Sequence, residues 1–170
     1  EGANVAISYL DEHGDAEETK KLVEAEGVQC LLLPGDIKAE AHCMDLVEKT
    51  VEAFGGINIL VNNAAIQFEQ ENVEDIPSEQ FEDVFRVNFF SQFYLTKAAV
   101  PHMKEGDSII STSSINSYRG NATLMDYSAT KGAITSFIRS IAQSLAKKGI
   151  RANAVAPGPV WTPLIPSSFD

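Results

Sequence analysis

In the stretch DYSATKGA, residues 126–133, a phenol at Tyr127 and an amine at Lys131 stand four positions apart, a spacing that puts both side chains on one face of a helix. A free phenol ionises near pKa about 10, so readying it for proton exchange at neutral pH takes a shift of about three units, or about 4 kcal/mol. One ammonium about 4 Å away supplies an amount of that order at an effective dielectric of about 20. The couple is therefore sufficient in principle for general acid–base chemistry. The same spacing also suits an ordinary first turn of an amphipathic helix, so its meaning depends on what the fold brings beside it.

The elements that would do the positioning read as consecutive strand–helix units. Short apolar runs at 4–10, 29–35, 58–64, 108–114 and 151–158 alternate with helical patterns at 15–26, 39–54, from 78 toward 101, and 127–148. Most of the strand runs are continuously apolar, as expected of a parallel sheet covered by helices on both faces. Gly27, Gly55 and Gly149 follow the first, second and fourth helices as stop signals, and Ser78 is placed to cap the third. The third helix, FEDVFRVNFFSQFYLTKAAV, is apolar on nearly every side. That pattern fits either a helix buried within one domain or one shared between the sheet and a second subunit. No repeat or linker divides the chain, so one α/β domain, a doubly wound parallel sheet, is expected.

In such a sheet the ligand lies beyond the carboxyl ends of the strands. Here those ends carry Gly35-Asp36, Asn62-Asn63-Ala64-Ala65, Ser113-Ser114 and Pro157-Gly158, small and polar residues suited to close approach by a ligand. Ser114 ends the strand that leads by a loop to Tyr127, although Ser111, Ser113 and Ser117 offer alternative hydroxyls. Asn88, an amide among apolar neighbours in the third helix, needs hydrogen-bond partners if buried. Asp36 would serve equally as a cap for the following helix.

Composition narrows the classes of function. Of 170 residues 24 are acidic and 13 basic, and the net charge of −11 opposes binding to nucleic acid or an anionic membrane. No apolar run approaches the roughly 20 residues of a spanning helix. The two cysteines, Cys30 and Cys43, have neither the number nor the spacing of a disulfide framework or zinc site, so no metal is expected. No targeting peptide is visible, and a cytoplasmic location is the expectation.

Taken together, Asp36, NNAA, the helix asparagine Asn88, Ser114, YSATK and PGPVWT form an ordered set, and with it the sequence resembles the classical short-chain dehydrogenases/reductases over nearly its whole length, in particular their bacterial glucose dehydrogenase-like branch. The resemblance implies a Rossmann-type fold and a hydride transferred between NAD, or possibly NADP, and a small alcohol or carbonyl substrate. It makes Tyr127 the general acid/base, Ser114 the partner of the substrate oxygen, Lys131 the holder of the nicotinamide ribose, and Asn88 the anchor of a water in a proton relay. Asp36 and Ile37 would meet the adenine, Asn63, Ala64 and Ala65 the adenosine side, and Pro157, Gly158, Val160 and Thr162 the nicotinamide end. A homotetramer is also implied.

The family usually has glycine where Ala65 stands, and its opening strand and glycine-rich phosphate turn precede the first strand found here. These 170 residues are accordingly expected to be the central part of a longer polypeptide. Acidic Asp11 and Glu12 after the first strand favour NAD, since they would accept ribose hydroxyls and repel a 2′-phosphate. A catalytically silent dinucleotide-binding or interaction protein is the alternative, against which the complete set of Ser114, Tyr127, Lys131 and Asn88 argues.

Overall fold

β-Branched and leucine-rich runs form five strands, β1 (Val5–Tyr9), β2 (Cys30–Pro34), β3 (Ile59–Asn62), β4 (Ser108–Thr112) and β5 (Arg151–Val155), in a computed structural model that describes residues 2–160, Thr162 and Leu164. Every pairing is parallel. Between them lie α1 (His13–Ala25), α2 (Glu40–Phe54), α3 (Ser78–Phe85), α4 (Ser91–Ala99), the short α5 (Asn116–Arg119) and α6 (Met125–Leu145). This is the expected α/β doubly wound architecture.

The strands form two ladders rather than one continuous sheet. β1 pairs with β2, and β4 lies between β3 and β5, with Ile109 opposite both Leu60 and Ala152. Apolar periodicity locates a strand but does not name its neighbour, so this division was not visible in the sequence. α4 and α6 cover the three-stranded ladder, where Ile109, Ile134, Ile138, Ile150 and Ala152 pack with Val47, Ala99 and Leu145 into the core. Ile59, Val61 and Val155 of this ladder are at least half exposed.

The third helix is interrupted. α3 passes into a π-helical turn over Arg86–Phe90, and α4 resumes the α-helix toward a final 3₁₀ turn, Val100–His102. Ser78 is not the N-cap: extended Pro77 takes that position, Ser78 is the first helical residue, and no side chain caps the end. Gly55 and Gly149 adopt left-handed conformations at φ +78° and +69° and end their helices as expected. At Gly35, φ +146° disfavours a side chain, and a Cβ there would stand 2.3 Å from the His42 ring unless that ring moved.

Candidate active site

The start of α6 is fixed by a buried carboxylate. Asp126, 1% exposed, accepts a hydrogen bond from the Tyr127 backbone N–H at 2.7 Å through Oδ1 and from Gln80 Nε2 at 2.8 Å through Oδ2. Placing the acid at the helix N-terminus lets the helix dipole favour its charge, and the glutamine link ties α3 to the turn that presents Tyr127. One turn further on, Lys131 is 1% exposed and donates from Nζ to the carbonyl oxygen of Thr112, the last residue of β4, at 2.8 Å. Its ammonium lies 5.2 Å from the centre of the Tyr127 ring.

The helical spacing thus does bring phenol and amine together, but their protonation equilibria move otherwise than the simple pair suggests. Burial raises the Tyr127 pKa above its ordinary value, with hydrogen bonding to Ser114 opposing the shift. Burial also lowers Lys131 to about 8. Desolvation penalises whichever form is charged, and here it outweighs attraction between two groups whose contact runs through the ring face rather than the hydroxyl. At neutral pH the phenol holds its proton and the amine remains mostly cationic.

The four serines differ in their hydrogen bonding. Ser113 Oγ binds the Lys131 carbonyl at 3.0 Å and Thr135 Oγ1 at 2.7 Å, Ser111 Oγ accepts from Asn62 Nδ2 at 3.4 Å, and Ser117 Oγ donates to the Ser114 carbonyl at 2.7 Å. These three hold structure together. Ser114 Oγ accepts only from the Asn116 N–H, at 3.1 Å, and faces the same cavity as Tyr127 and Lys131.

Asn88 is wholly buried in the π-helical turn. Its Oδ1 accepts from the Ile66 N–H at 2.8 Å, and its Nδ2 donates to the Ile66 carbonyl at 2.9 Å and to Thr130 Oγ1 at 3.2 Å. It therefore clamps the backbone just beyond Ala65 and joins it to α6. This geometry is that of a positioning residue, since both amide hydrogens are already used within the protein.

A cavity of about 750 Å³ opens beyond the ends of β3, β4 and β5. Of the expected ligand-binding residues, Asn63, Ala64, Ala65, Ser114, Tyr127, Lys131, Pro157, Gly158, Val160 and Thr162 line it, while Asp11, Asp36, Ile37 and Asn88 do not. Asp36 forms a local turn, accepting from the Lys38 N–H at 2.9 Å, and α2 starts two residues after Lys38. Asp11 sits in the exposed turn before α1, and the Ile37 carbonyl accepts from the Cys43 thiol. Trp161 lies outside the described residues. The wall also holds Gln67, Asn116 and Arg119, loop and short-helix residues with no periodic pattern to single them out in the sequence.

The residues present fit a nicotinamide dinucleotide. Lys131 spends one of its three N–H groups on Thr112, leaving donors for a ribose diol, and Asn63, Ala64, Ala65, Pro157 and Gly158 leave the wall low where a planar ring must lie.

Comparison with known proteins agrees. The family described as enoyl-(acyl carrier protein) reductase matches residues 1–169. General stress protein 39 of Bacillus subtilis is 61% identical over 169 residues, covering 99% of this chain and 59% of its own. The chloroplastic NADPH-dependent aldehyde reductase 1 of Arabidopsis thaliana is 50% identical over 176 residues, covering 100% of this chain and 61% of its own. A solved short-chain dehydrogenase from Burkholderia cenocepacia, in complex with NADP, superposes with TM-score 0.92 at 31% identity over 96% of this chain and 66% of that one. The chain belongs to the short-chain dehydrogenase/reductase family. It spans about three-fifths of the length of the curated relatives described. Among the described residues no helix is long and apolar enough to cross a membrane.

Proposed function

We propose that the protein is an NAD-dependent oxidoreductase that interconverts a small alcohol and its carbonyl compound, with Tyr127 as the group that exchanges the proton. The observation that carries this reading is the convergence of Ser114, Tyr127 and Lys131 on one cavity, with the competing serines engaged elsewhere. The bound nicotinamide would supply or accept the hydride. Ser114 Oγ, set beside Tyr127 on the cavity wall, orients the substrate oxygen. Tyr127 gives that oxygen a proton in reduction and takes it back in oxidation, and the Lys131 cation favours the phenolate left behind. Asn88 keeps the loop that carries Ala65 and Gln67 in place beneath this chemistry, and Asp36 with Ile37 stands toward the adenine end.

Asp11 and Glu12, exposed after β1, are the basis for choosing NAD over NADP. A homotetramer formed through the outer faces of α3, α4 and α6 is part of the same reading, supported by exposed Phe81, Phe90 and Phe93. The test is reduction of small aldehydes and ketones by the full-length protein, followed through the absorbance of reduced nicotinamide. Turnover with a higher kcat/KM for NADH than for NADPH is expected. Absence of turnover with either cofactor across such a panel would favour the silent binding protein, and a strong NADPH preference would overturn the cofactor assignment.

A further inference from the structure

The proton-transfer reading leaves part of the cavity wall unused. Gln67 is 6% exposed and lines the cavity, yet its side-chain amide has no hydrogen-bond partner among the described residues. The amide opens on the cavity, so its donors and acceptor are available to a polar ligand or water there. Arg119, the last residue of α5, lines the same cavity from its exposed rim. Its one side-chain hydrogen bond is a long one, Nε to Asn116 Oδ1 at 3.4 Å, and it joins none of the ion pairs among the described residues. Asn116 in turn donates its backbone N–H to Ser114 Oγ, so the guanidinium is tethered through one residue to the hydroxyl at the reacting end.

The charge distribution gives this arrangement a direction. Acidic residues outnumber basic ones 24 to 13 in the chain, yet the described lining of the cavity contains no carboxylate and two cations, Arg119 and Lys131. An overall charge of −11 repels anions in general, so a described wall without carboxylates and with a guanidinium outside the described ion pairs at its rim is a local reversal of that field. The planar donor fork of arginine matches a carboxylate or phosphate, and an amide lining the same cavity can add a further hydrogen bond. We propose that Arg119 and Gln67 form a subsite for an oxyanionic group, so that the preferred substrate is an alcohol or carbonyl compound bearing a carboxylate or a phosphate. The assignment rests on Ser114 and Tyr127 marking the reacting end.

The test compares matched pairs with the full-length protein: 4-carboxybenzaldehyde against 4-carbamoylbenzaldehyde, and glyceraldehyde 3-phosphate against glyceraldehyde. The anionic member of at least one pair should have the higher kcat/KM, by about tenfold or more, and which pair shows it distinguishes carboxylate from phosphate. Arg119→Gln should erase that ratio by penalising the anionic member selectively, whereas Arg119→Lys keeps part of it and Gln67→Leu raises KM for the anion. Equal kcat/KM within both pairs, or an Arg119→Gln loss that falls equally on charged and neutral members, overturns the subsite. If no aldehyde turns over, the oxidoreductase reading fails separately, and the subsite is judged by binding. Benzoate and inorganic phosphate are then compared with benzamide, and at least one of the anions should raise the thermal midpoint of the wild type but not of Arg119→Gln. No difference between the two proteins overturns it.

Discussion

At the scale of single residues, the central pair is governed by burial. Lys131 titrates at about 8 because its ammonium has been taken out of water, and Tyr127 moves upward for the same reason acting on a phenolate. The sign of the pH dependence follows. Reduction needs a protonated phenol beside a cationic amine, so its kcat/KM should hold up to about pH 8 and fall above it as Lys131 loses its proton. Oxidation needs the phenolate beside the same cation, so it should rise with pH up to about 8 and level off above it, where loss of the Lys131 proton offsets further ionisation of Tyr127. Reductive kcat/KM that climbs between pH 7 and 9 would contradict this assignment; ordinary initial-rate profiles in both directions decide it. The sequence spacing made the couple legible, whereas the direction of each shift was not, because it depends on how deeply α6 and β4 enclose the two groups. Ser114 was singled out only by resemblance, and the hydrogen bonds of Ser111, Ser113 and Ser117 that support the proposal depend on the folded chain.

At the scale of elements, the interruption in the third helix gives Asn88 its orientation. A π-helical turn widens the backbone by one residue, and here it brings the amide against Ile66 and Thr130. Replacing Asn88 with Ala would leave the half-buried Ile66 N–H and carbonyl without their partners, which should cost about 2–6 kcal/mol of stability, two groups at roughly 1–3 kcal/mol each. Denaturant unfolding of the variant measures that loss, and a change below about 0.5 kcal/mol would mean that the clamp is not what holds the loop after β3. Helix positions were readable from apolar spacing and from the glycines at 27, 55 and 149. The π-helical turn was not, since RVNFF has no composition that distinguishes it from ordinary helix. α5 was missed because four residues are too few to show a period, and with it went Asn116 and Arg119.

At the scale of the whole molecule, the exposed aromatic face is the feature that one domain does not explain. Phe93 is 42% exposed on α4 and its ring centre lies 6.2 Å from that of Phe137 on α6, so the two helices share an apolar surface turned outward. The proposed tetramer predicts that the wild type scatters light as four subunits and that Phe93→Glu reduces that mass, and an assembly unchanged by the substitution would exclude this face as the interface. The parallel α/β class was legible from the alternation of strand runs and helices, and the site from what stands at the strand ends. Which strands pair, β1 with β2 and β4 between β3 and β5, depends on contacts between distant segments, which local pattern does not encode.

The account depends most directly on proton exchange at Tyr127, so the decisive measurement is kcat/KM of the full-length Tyr127→Phe variant alongside its affinity for the cofactor. Loss of about 10²–10⁴ in kcat/KM, with cofactor affinity close to that of the wild type, is the predicted result. A variant that keeps most of its activity would contradict it.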